Sequence, residues 1–424
     1  MLNKKTVIVS DKNVEYIVDS LISDGTGQGD IYKVLSDGKE YAMKLFHAGD
    51  EEKMTEQIRI LMRRGKACPA YVHPLDIVRI DGRIGYIMEY IPDSFLPGSV
   101  LYNGIDRVGV REELPFHTKL SVLYNLAEAI AVLYRAGLAM MDLKFDNLKI
   151  APEDWSVKII DTDTIVGGNG KSIIEGTVGF MPPLTMLQKE VPSKYNDSFA
   201  LAVIIFMTLI GNHPLMGKAG DVPHDSDMET YLFAEHPVYI AHPMDKSNRP
   251  SADDTCVEQK LNKYPQVFLS AMERTFVDGL YDREKRTTPD EWCEVLRGVY
   301  DISYCCTECG EEQFYTDTVS TVCSCCGNPI IKPLLMCSEK KVPLFLGNVI
   351  TGSDLWNGTD KSQTILQVTT TPYSTKCGLL VEHGKLTLHF PNGNDVVFDK
   401  GKVAPLFMNA EYEYNQKTFK MEEM

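Results

Sequence analysis

The sequence has no apolar run long enough to cross a membrane and no excess of positive charge. Its most apolar segment, residues 201–210, is about half as long as a membrane-spanning helix must be, so a buried helix is the better prediction. With 43 Lys and Arg against 59 Asp and Glu, the net charge is −16, which disfavours non-specific binding to nucleic acids or anionic membranes. The first residues, Met-Leu-Asn-Lys-Lys-Thr, lack the apolar stretch of a secretory signal, so we expect a cytoplasmic protein.

Cysteine is sparse over most of the chain, which argues against a disulfide framework. Seven of the 11 cysteines lie between positions 305 and 337, and this crowding indicates metal binding rather than bridges. The length of 424 residues predicts two or three domains. A hydrophobic content of 44% supplies enough apolar residues for sizeable cores.

The middle of the chain carries a pattern suited to phosphoryl transfer. Asp142, Lys144 and Asn147 follow the spacing D-x-K-x-x-N. An apolar run at 157–160 then leads directly to Asp161. Phosphoryl transfer needs a carboxylate to orient the attacking hydroxyl, a cation for the moving phosphate and hard oxygen ligands for a divalent metal. Asp142 fits the first role and Lys144 the second. Asn147 and Asp161 would bind Mg²⁺ or Mn²⁺. A surface loop with scattered charges is the alternative that the first spacing alone leaves open.

The N-terminal part of the chain adds a pattern for binding phosphates. Gly25, Gly27 and Gly29 stand in a turn between two extended segments, where backbone amides without side chains can approach phosphates closely. Further along, Lys44 lies in the apolar strand 41–46. Each feature is weak alone, because glycine hairpins are common and a lysine in such a strand usually faces solvent.

Together these motifs resemble the eukaryotic-like, bacterial-type Ser/Thr protein kinase family over residues 15–300. The resemblance implies an α+β, two-lobed protein-kinase-like fold within residues 1–300, with an N-lobe near 15–92 and a C-lobe near 93–300. It also implies that the cofactors are ATP and magnesium, and that Lys44 binds the ATP phosphates.

The same resemblance implies further ATP contacts. Residues 50–64 show the apolar spacing of a helix. Among the three glutamates of this helix, Glu56 is chosen as the partner of Lys44, and the alternative is that all three are solvated. The last strand of the N-lobe ends where backbone groups of Glu89 and Ile91 would hold adenine.

Three positions match structural residues of the family. Thr177 matches the threonine that bonds the catalytic aspartate and lysine. Asp197 matches a buried aspartate that accepts N–H groups of the catalytic loop. Arg286 matches an arginine of the C-lobe, but it lacks the usual glutamate partner because Leu184 stands there.

The sequence departs from the family pattern at regulatory positions. Met140 and Met141 stand where the family has His-Arg, and Thr162-Asp163 replaces Phe-Gly. Met141 has no charge and no donor, so a phosphate on the nearby Ser172 or Thr177 would gain no ion pair from it. We therefore expect activity that does not require phosphorylation of this segment.

A zinc ribbon is predicted at 301–336. Two Cys-x-x-Cys pairs stand thirteen residues apart, each followed by a glycine, and this is the spacing of a structural four-thiolate Zn²⁺ site. The four predicted ligands are Cys306, Cys309, Cys323 and Cys326. Cys305 and Cys325 lie next to these positions, so a shift of one residue stays open at each pair, and Cys337 is a weaker alternative.

The remaining residues, 337–424, alternate between apolar and polar positions and predict a small β-sandwich. This segment faintly resembles forkhead-associated domains. The arginine, serine and histidine that grip phosphothreonine in that family are not evident. A sandwich used for docking a protein substrate or partner is the better interpretation.

The leading hypothesis is an ATP- and Mg²⁺-dependent protein kinase that transfers the γ-phosphate to Ser/Thr hydroxyls. One alternative is a pseudokinase scaffold whose accessory domains do the work. Another is an ATP-dependent transferase that acts on a non-protein substrate. Retention of the charged and metal-binding residues favours activity: Lys44, Asp142, Asn147 and Asp161.

Overall fold

The structure is a computed structural model, and its description covers most of the chain. Gly25, Gly27, Asp163 and Ser172 lie outside the described residues. The described ranges are 2–24, 29–47, 51–65, 68–107, 110–162, 165–167, 176–218, 226–250, 255–306, 308–315, 322–329, 334–338, 341–345, 348–352, 364–371, 377–390, 393–408 and 410–423.

The chain divides into two compact units. The first contains Met1–Asn262 and Leu269–Glu294, and the second contains Lys263–Phe268 and Val295–Met424. The division thus falls slightly before residue 300, where the sequence analysis placed the end of the first domain.

The first unit begins with a six-stranded antiparallel sheet in the order β1-β2-β3-β4-β6-β5. Its strands are β1 (Val7–Val9), β2 (Glu15–Ser23), β3 (Gly29–Ser36), β4 (Lys39–Phe46), β5 (Asp76–Ile80) and β6 (Arg83–Glu89). Helix α1 (Glu51–Gly65) lies between β4 and β5 in the chain. Alternate side chains of β3 and β4 are fully buried in the sheet's core, among them Tyr32, Val34 and Met43.

Strand β1 joins the two edges of this sheet. It pairs with β2 along one edge, and Ser10, just beyond it, forms a bridge with Val78 of β5 at the other edge. The backbone N–H of Asp11 donates to Ile77 O at 2.9 Å. The family resemblance places the start of the N-lobe near residue 15, so β1 lies before the predicted start of this lobe.

The rest of the first unit is mainly helical. Its helices are α2 (Val100–Asn103), α3 (Phe116–Arg135), α4 (Pro183–Met186), α5 (Lys194–Ile210) and α6 (Ser226–Thr230). Three more helices contain residues of both units: α7 (Thr255–Lys263), α8 (Gln266–Phe276) and α9 (Pro289–Ile302). The first unit also has seven short strands among its described residues: β7 (Leu96–Pro97), β8 (Ile105–Arg107), β9 (Val110–Glu112), β10 (Leu138–Ala139), β11 (Leu148–Ile150), β12 (Val157–Ile159) and β13 (Val166–Gly167).

Helix α5 is buried on nearly every side, which accounts for its continuous apolar sequence. Ser193 and Asn196 form a capping box at its start, and Gly211 ends it with a φ of 87°. Residues 201–210 therefore belong to a buried helix, as predicted. Among the described residues, no helix combines the length and the apolarity that a bilayer crossing needs. The cytoplasmic location stays a prediction.

The second unit is built mainly from strands. A hairpin of β14 (Ser303–Cys305) and β15 (Glu312–Phe314) comes first. One sheet then has six strands, in the order β17 (Lys341–Leu344), β16 (Leu334–Cys337), β25 (Lys417–Glu423), β24 (Glu411–Tyr414), β21 (Lys385–His389) and β22 (Asp395–Asp399). Another has four, in the order β18 (Val349–Thr351), β19 (Thr364–Thr370), β20 (Cys377–Val381) and β23 (Val403–Pro405).

One apolar core contains residues of both sheets. Met336 and Leu386 of the larger sheet and Leu366 and Leu379 of the smaller one are buried in the same cluster. This arrangement fits the small sandwich that alternation along the chain predicts. The likeness to forkhead-associated domains stays a prediction.

Candidate active site

The loop between β10 and β11 holds the predicted catalytic pair. Lys144 Nζ lies 2.8 Å from Asp142 Oδ2 and donates to Thr177 Oγ1 at 2.8 Å. Thr177 Oγ1 in turn donates to Asp142 Oδ1 at 2.7 Å. Three side chains from two segments of the chain thus form a closed triangle. The structure brings Thr177 to the position that the family resemblance implies.

Asn147 is tied to the same carboxylate. Its Nδ2 donates to the backbone O of Asp142 at 2.8 Å and to Asp142 Oδ2 at 3.2 Å. Ile160 N–H donates to the backbone O of Asn147 at 2.9 Å, which joins the loop to the segment that ends at Asp161. Since Nδ2 is engaged with Asp142, Oδ1 is the atom with which Asn147 could bind a metal.

Lys44 and Asp161 form an ion pair at the centre of the site. Lys44 Nζ lies 3.0 Å from Asp161 Oδ1, although 117 residues separate the two in the chain. Lys44 is only 7% exposed, whereas half of the Asp161 side chain is accessible to solvent. Asp161 has a φ of 57°, a conformation that costs energy in a non-glycine residue and is typical of functional sites. The structure therefore brings together the predicted phosphate-binding lysine and a predicted metal ligand.

The predicted pairing of Glu56 with Lys44 is not present in this structure. Glu56 lies on the solvent side of α1, 59% exposed, and pairs with Arg63 at 3.4 Å. The physical reason is the rotational phase of the helix. Thr55 and Ile58 occupy the buried face of α1 that packs towards the sheet, so Glu56 points away from it. The sequence alone does not define this phase, so it does not distinguish among the three glutamates of α1.

Of the other predicted ATP contacts, Gly29, Glu89 and Ile91 lie among the described residues, and Gly25 and Gly27 do not. Gly29 begins β3, and a Cβ there would lie 2.5 Å from Leu45 O, so only glycine fits. Glu89 ends β6, and its carboxylate pairs with Lys158 at 2.8 Å. Ile91 follows two residues later and is half-buried.

The side chain of Asp197 stabilises the backbone directly before Asp142. Its carboxyl group is completely buried and accepts the N–H groups of Met140 at 2.6 Å and of Met141 at 3.1 Å. Burial raises the pKa of Asp197 to about 7, and the two amide donors oppose that rise. Met141 has a φ of 75°, which is unfavourable for a side chain of this kind. Asp197 thus holds a strained backbone directly before Asp142.

His213 is a buried positioning group that sequence reasoning missed. Its Nδ1 accepts the N–H of Leu215 at 3.1 Å, so Nε2 carries the proton and donates to Gly179 O at 2.9 Å. Burial lowers the pKa of His213 to about 4, which keeps the ring neutral near pH 7. His213, just after the end of α5, therefore anchors the segment that contains Thr177 and Gly179.

Arg286 has an acidic partner at another position, although Leu184 stands where the family resemblance places the usual glutamate. Its Nη2 lies 3.6 Å from Glu190 Oε2. Its Nε donates to Gly279 O at 2.7 Å and its Nη1 to Tyr195 O at 3.1 Å. Glu190 lies six positions after Leu184, the residue at the position of the usual glutamate.

Replacing Glu190 with glutamine should destabilise the first unit, because the buried Arg286 would lose its counterion. Breaking a buried ion pair from one side costs about 3 kcal/mol or more. Chemical denaturation followed by fluorescence measures this change. The exposed Glu153→Gln is the matched control and should leave the free energy of unfolding nearly unchanged. Equal stability of the two variants would contradict the role of Glu190.

A separate cysteine cluster lies in the second unit. The four Sγ atoms of Cys306, Cys309, Cys323 and Cys326 all lie within 4.8 Å of one another. Two of the distances, Cys306 to Cys326 and Cys309 to Cys323, are 3.7 Å. Four thiolates at about 2.3 Å from one tetrahedral zinc would lie about 3.8 Å apart, so the donors and their spacing fit Zn²⁺.

Local backbone geometry supports this register of the cysteines. Gly310 N–H donates to Cys306 O at 2.9 Å and Gly327 N–H to Cys323 O at 3.0 Å, and both glycines have a φ above 70°. Cys305 and Cys325 are not members of the cluster.

Comparison with known proteins gives this geometry a family context. Residues 16–295 match the family model described as the protein kinase domain. A probable cAMP-dependent protein kinase catalytic subunit from Encephalitozoon cuniculi (strain GB-M1) is 23% identical over 204 residues, which cover 46% of this chain and 60% of that protein. The serine/threonine-protein kinase PknL from Mycobacterium tuberculosis (strain CDC 1551 / Oshkosh) is 25% identical over 218 residues, 48% of this chain and 51% of PknL.

A further relative and a solved structure extend the comparison. The serine/threonine-protein kinase pkn2 from Myxococcus xanthus is 22% identical over 257 residues, 54% of this chain and 28% of pkn2. The chain therefore spans less than two thirds of the length of each of these relatives. The autoinhibited serine kinase domain of the giant muscle protein titin has a TM-score of 0.50 at 15% identity, covering 66% of this chain and 80% of that chain. That likeness concerns the fold alone.

Proposed function

Because the chain belongs to the protein kinase family, we propose that it is a Ser/Thr protein kinase that transfers the γ-phosphate of ATP to protein hydroxyl groups. The observation that carries this proposal is the triangle of Asp142, Lys144 and Thr177. It lies beside two residues with oxygen donors, Asn147 and Asp161. Phosphoryl transfer depends on positioning and on charge stabilisation, and this arrangement supplies both.

Each residue has one proposed role. Asp142 orients the acceptor hydroxyl and takes up its proton, and Lys144 places a positive charge where the phosphate moves. Asn147 Oδ1 and the Asp161 carboxylate would hold Mg²⁺, which neutralises phosphate charge when bound. Lys44, now paired with Asp161, would hold the phosphates of ATP.

The backbone around the nucleotide completes the proposal. Gly25, Gly27 and Gly29 would cover the phosphates through their amides, and Glu89 and Ile91 would bind adenine through the main chain. Glu56 is no longer assigned to Lys44 because it pairs with Arg63.

Transfer of radioactive label from ATP tests the activity. Label should move from γ-labelled ATP to serine or threonine of added proteins, and no label should move from α-labelled ATP. Transfer from the α position would instead favour an ATP-dependent transferase of another kind. No transfer from either position, with folded protein, would favour the pseudokinase scaffold.

We propose structural Zn²⁺ at Cys306, Cys309, Cys323 and Cys326, with the zinc ribbon spanning 301–336. The four donors are all thiols, and no His or carboxylate is grouped with them among the described residues, so the donor set suits a closed structural site. The strands of 337–424 would then provide a docking surface for a protein substrate or partner, and not for nucleic acid or membrane.

A further inference from the structure

Arg79, on strand β5, joins three separate segments of the N-terminal part of the first unit. Its guanidinium pairs with Asp11, in the turn after β1. Its Nε donates to Glu51 Oε1 at 2.8 Å, and its Nη2 donates to Thr55 Oγ1 at 3.3 Å. Glu51 and Thr55 form the first turns of α1. One side chain therefore links the sheet, the N-terminal segment and the helix.

The helix also rests on the sheet through apolar contacts. Ile58 of α1 belongs to a buried cluster with Phe46, Ile77 and Tyr86. Apolar packing holds two surfaces together but is not directional, so it fixes the rotation of a helix less well than hydrogen bonds do. The hydroxyl of Thr55, which is only 8% exposed, gives Arg79 a fixed acceptor on the buried face.

The placement of α1 matters for the phosphate-binding lysine. Phe46 and Ile58 belong to the same buried cluster, and the Phe46 ring centre lies 5.5 Å from Lys44 Nζ. A shift of α1 would therefore reach Lys44 through this cluster and the Phe46 ring. Glu56 is 59% exposed and paired with Arg63, so it does not provide this connection.

We propose that Arg79 is the positioning residue that fixes helix α1 and, through Phe46, the Lys44 ammonium group. This role rests on the proposed kinase function. In this proposal Arg79 has no role in contacting ATP and acts only through other residues. The planar guanidinium group of Arg79 binds three acceptors at once. The single ammonium group of a lysine does not reproduce this geometry.

The effect of replacing Arg79 on the KM for ATP should be moderate and should depend on the salt concentration. The Arg79 side chain is 37% exposed and that of Glu51 is 57% exposed, and ion pairs at such positions contribute little individually and are screened by salt. We expect Arg79→Gln to raise the KM for ATP by about five-fold, with a smaller change in kcat, and the difference from wild type to narrow at high salt. Arg79→Lys should recover only part of the loss.

The experiment compares five variants, including Arg79→Lys, by steady-state kinetics and by binding of a fluorescent ATP analogue. Arg79→Gln and Thr55→Val remove the two ends of the connection to the buried face of α1, and both should weaken nucleotide binding. Arg59→Gln is the matched control on the exposed face of the same helix and should behave like wild type. Glu56→Gln should have a smaller effect than Arg79→Gln.

The results separate this inference from the proposed function. If wild-type protein transfers label but Arg79→Gln keeps the wild-type KM for ATP, the inference is wrong while the kinase function stands. If Glu56→Gln loses more affinity than Arg79→Gln, the ordinary lysine–glutamate pair operates and the inference is also wrong. If wild-type protein transfers no label, the proposed function itself fails. Denaturation curves of each variant establish that a loss of affinity is not a loss of folding.

Discussion

Asp142→Asn should lower the rate of phosphate transfer by about 100-fold or more, because loss of a positioned general base typically costs that much. Asparagine keeps the shape of the side chain and one acceptor oxygen. It removes the negative charge that orients the acceptor hydroxyl and balances Lys144, 2.8 Å away. Affinity for ATP should change little, because Asp142 is assigned to the acceptor and not to the nucleotide.

Turnover and nucleotide affinity must be measured separately in this test. Label transfer under saturating ATP gives the turnover, and binding of a fluorescent ATP analogue gives the affinity. Asp146→Asn is the matched control, since Asp146 is an exposed carboxylate in the same loop outside the triangle. Wild-type turnover in Asp142→Asn would remove Asp142 from the catalytic role.

Purified protein should contain about one equivalent of zinc, and Cys306→Ser should lose nearly all of it. A tetrahedral site that loses one of its four thiolates is severely weakened, and a small ribbon has too little core to preserve the site without metal. Elemental analysis after purification without chelators measures the zinc content. Label transfer should continue, because all four cysteines lie in the second unit, away in sequence from Asp142 and Lys44.

Cys325→Ser provides a close control for this zinc prediction. Cys325 lies between two ligands, and its backbone N–H donates to Cys323 Sγ at 3.4 Å, but its own sulfur is outside the cluster. The variant keeps the backbone and should keep the metal. Zinc-free wild-type protein, or loss of zinc from Cys325→Ser and not from Cys306→Ser, would contradict the assignment.

The parts of the site that the sequence predicted best are short-range patterns. Asp142, Lys144 and Asn147 occupy one loop, so their spacing alone brings them together. The same holds within each Cys-x-x-Cys pair, where a turn with glycine fixes the geometry. Long helices and alternating strands were also predictable, because burial of one face imposes a period on the sequence.

The parts that the sequence could not supply depend on orientation or on distant contacts. Choosing Glu56 required the rotation of α1 about its axis, and the sequence pattern does not determine that angle to within one residue. Glu190 and Arg286 are far apart in the chain, so their contact cannot be read from the sequence. The family pattern indicated position 184 instead. His213 stands in the turn Gly-Asn-His-Pro after α5, and nothing in the sequence indicates that its ring is buried and donates to Gly179.

The bridging of the sheet by β1 has a consequence for the order of folding. Asp11 and Arg79 are 68 residues apart in the chain, so the N-terminal strand emerges from the ribosome well before the strand that it must meet. Pairing over such a separation requires closing a long loop, which slows folding and leaves strand edges exposed until late. The six-stranded sheet should therefore close, through the bridge between Ser10 and Val78, only after β5 has been synthesised. Until then, β1 can pair with β2, but the bridge from Ser10 to Val78 of β5 cannot form.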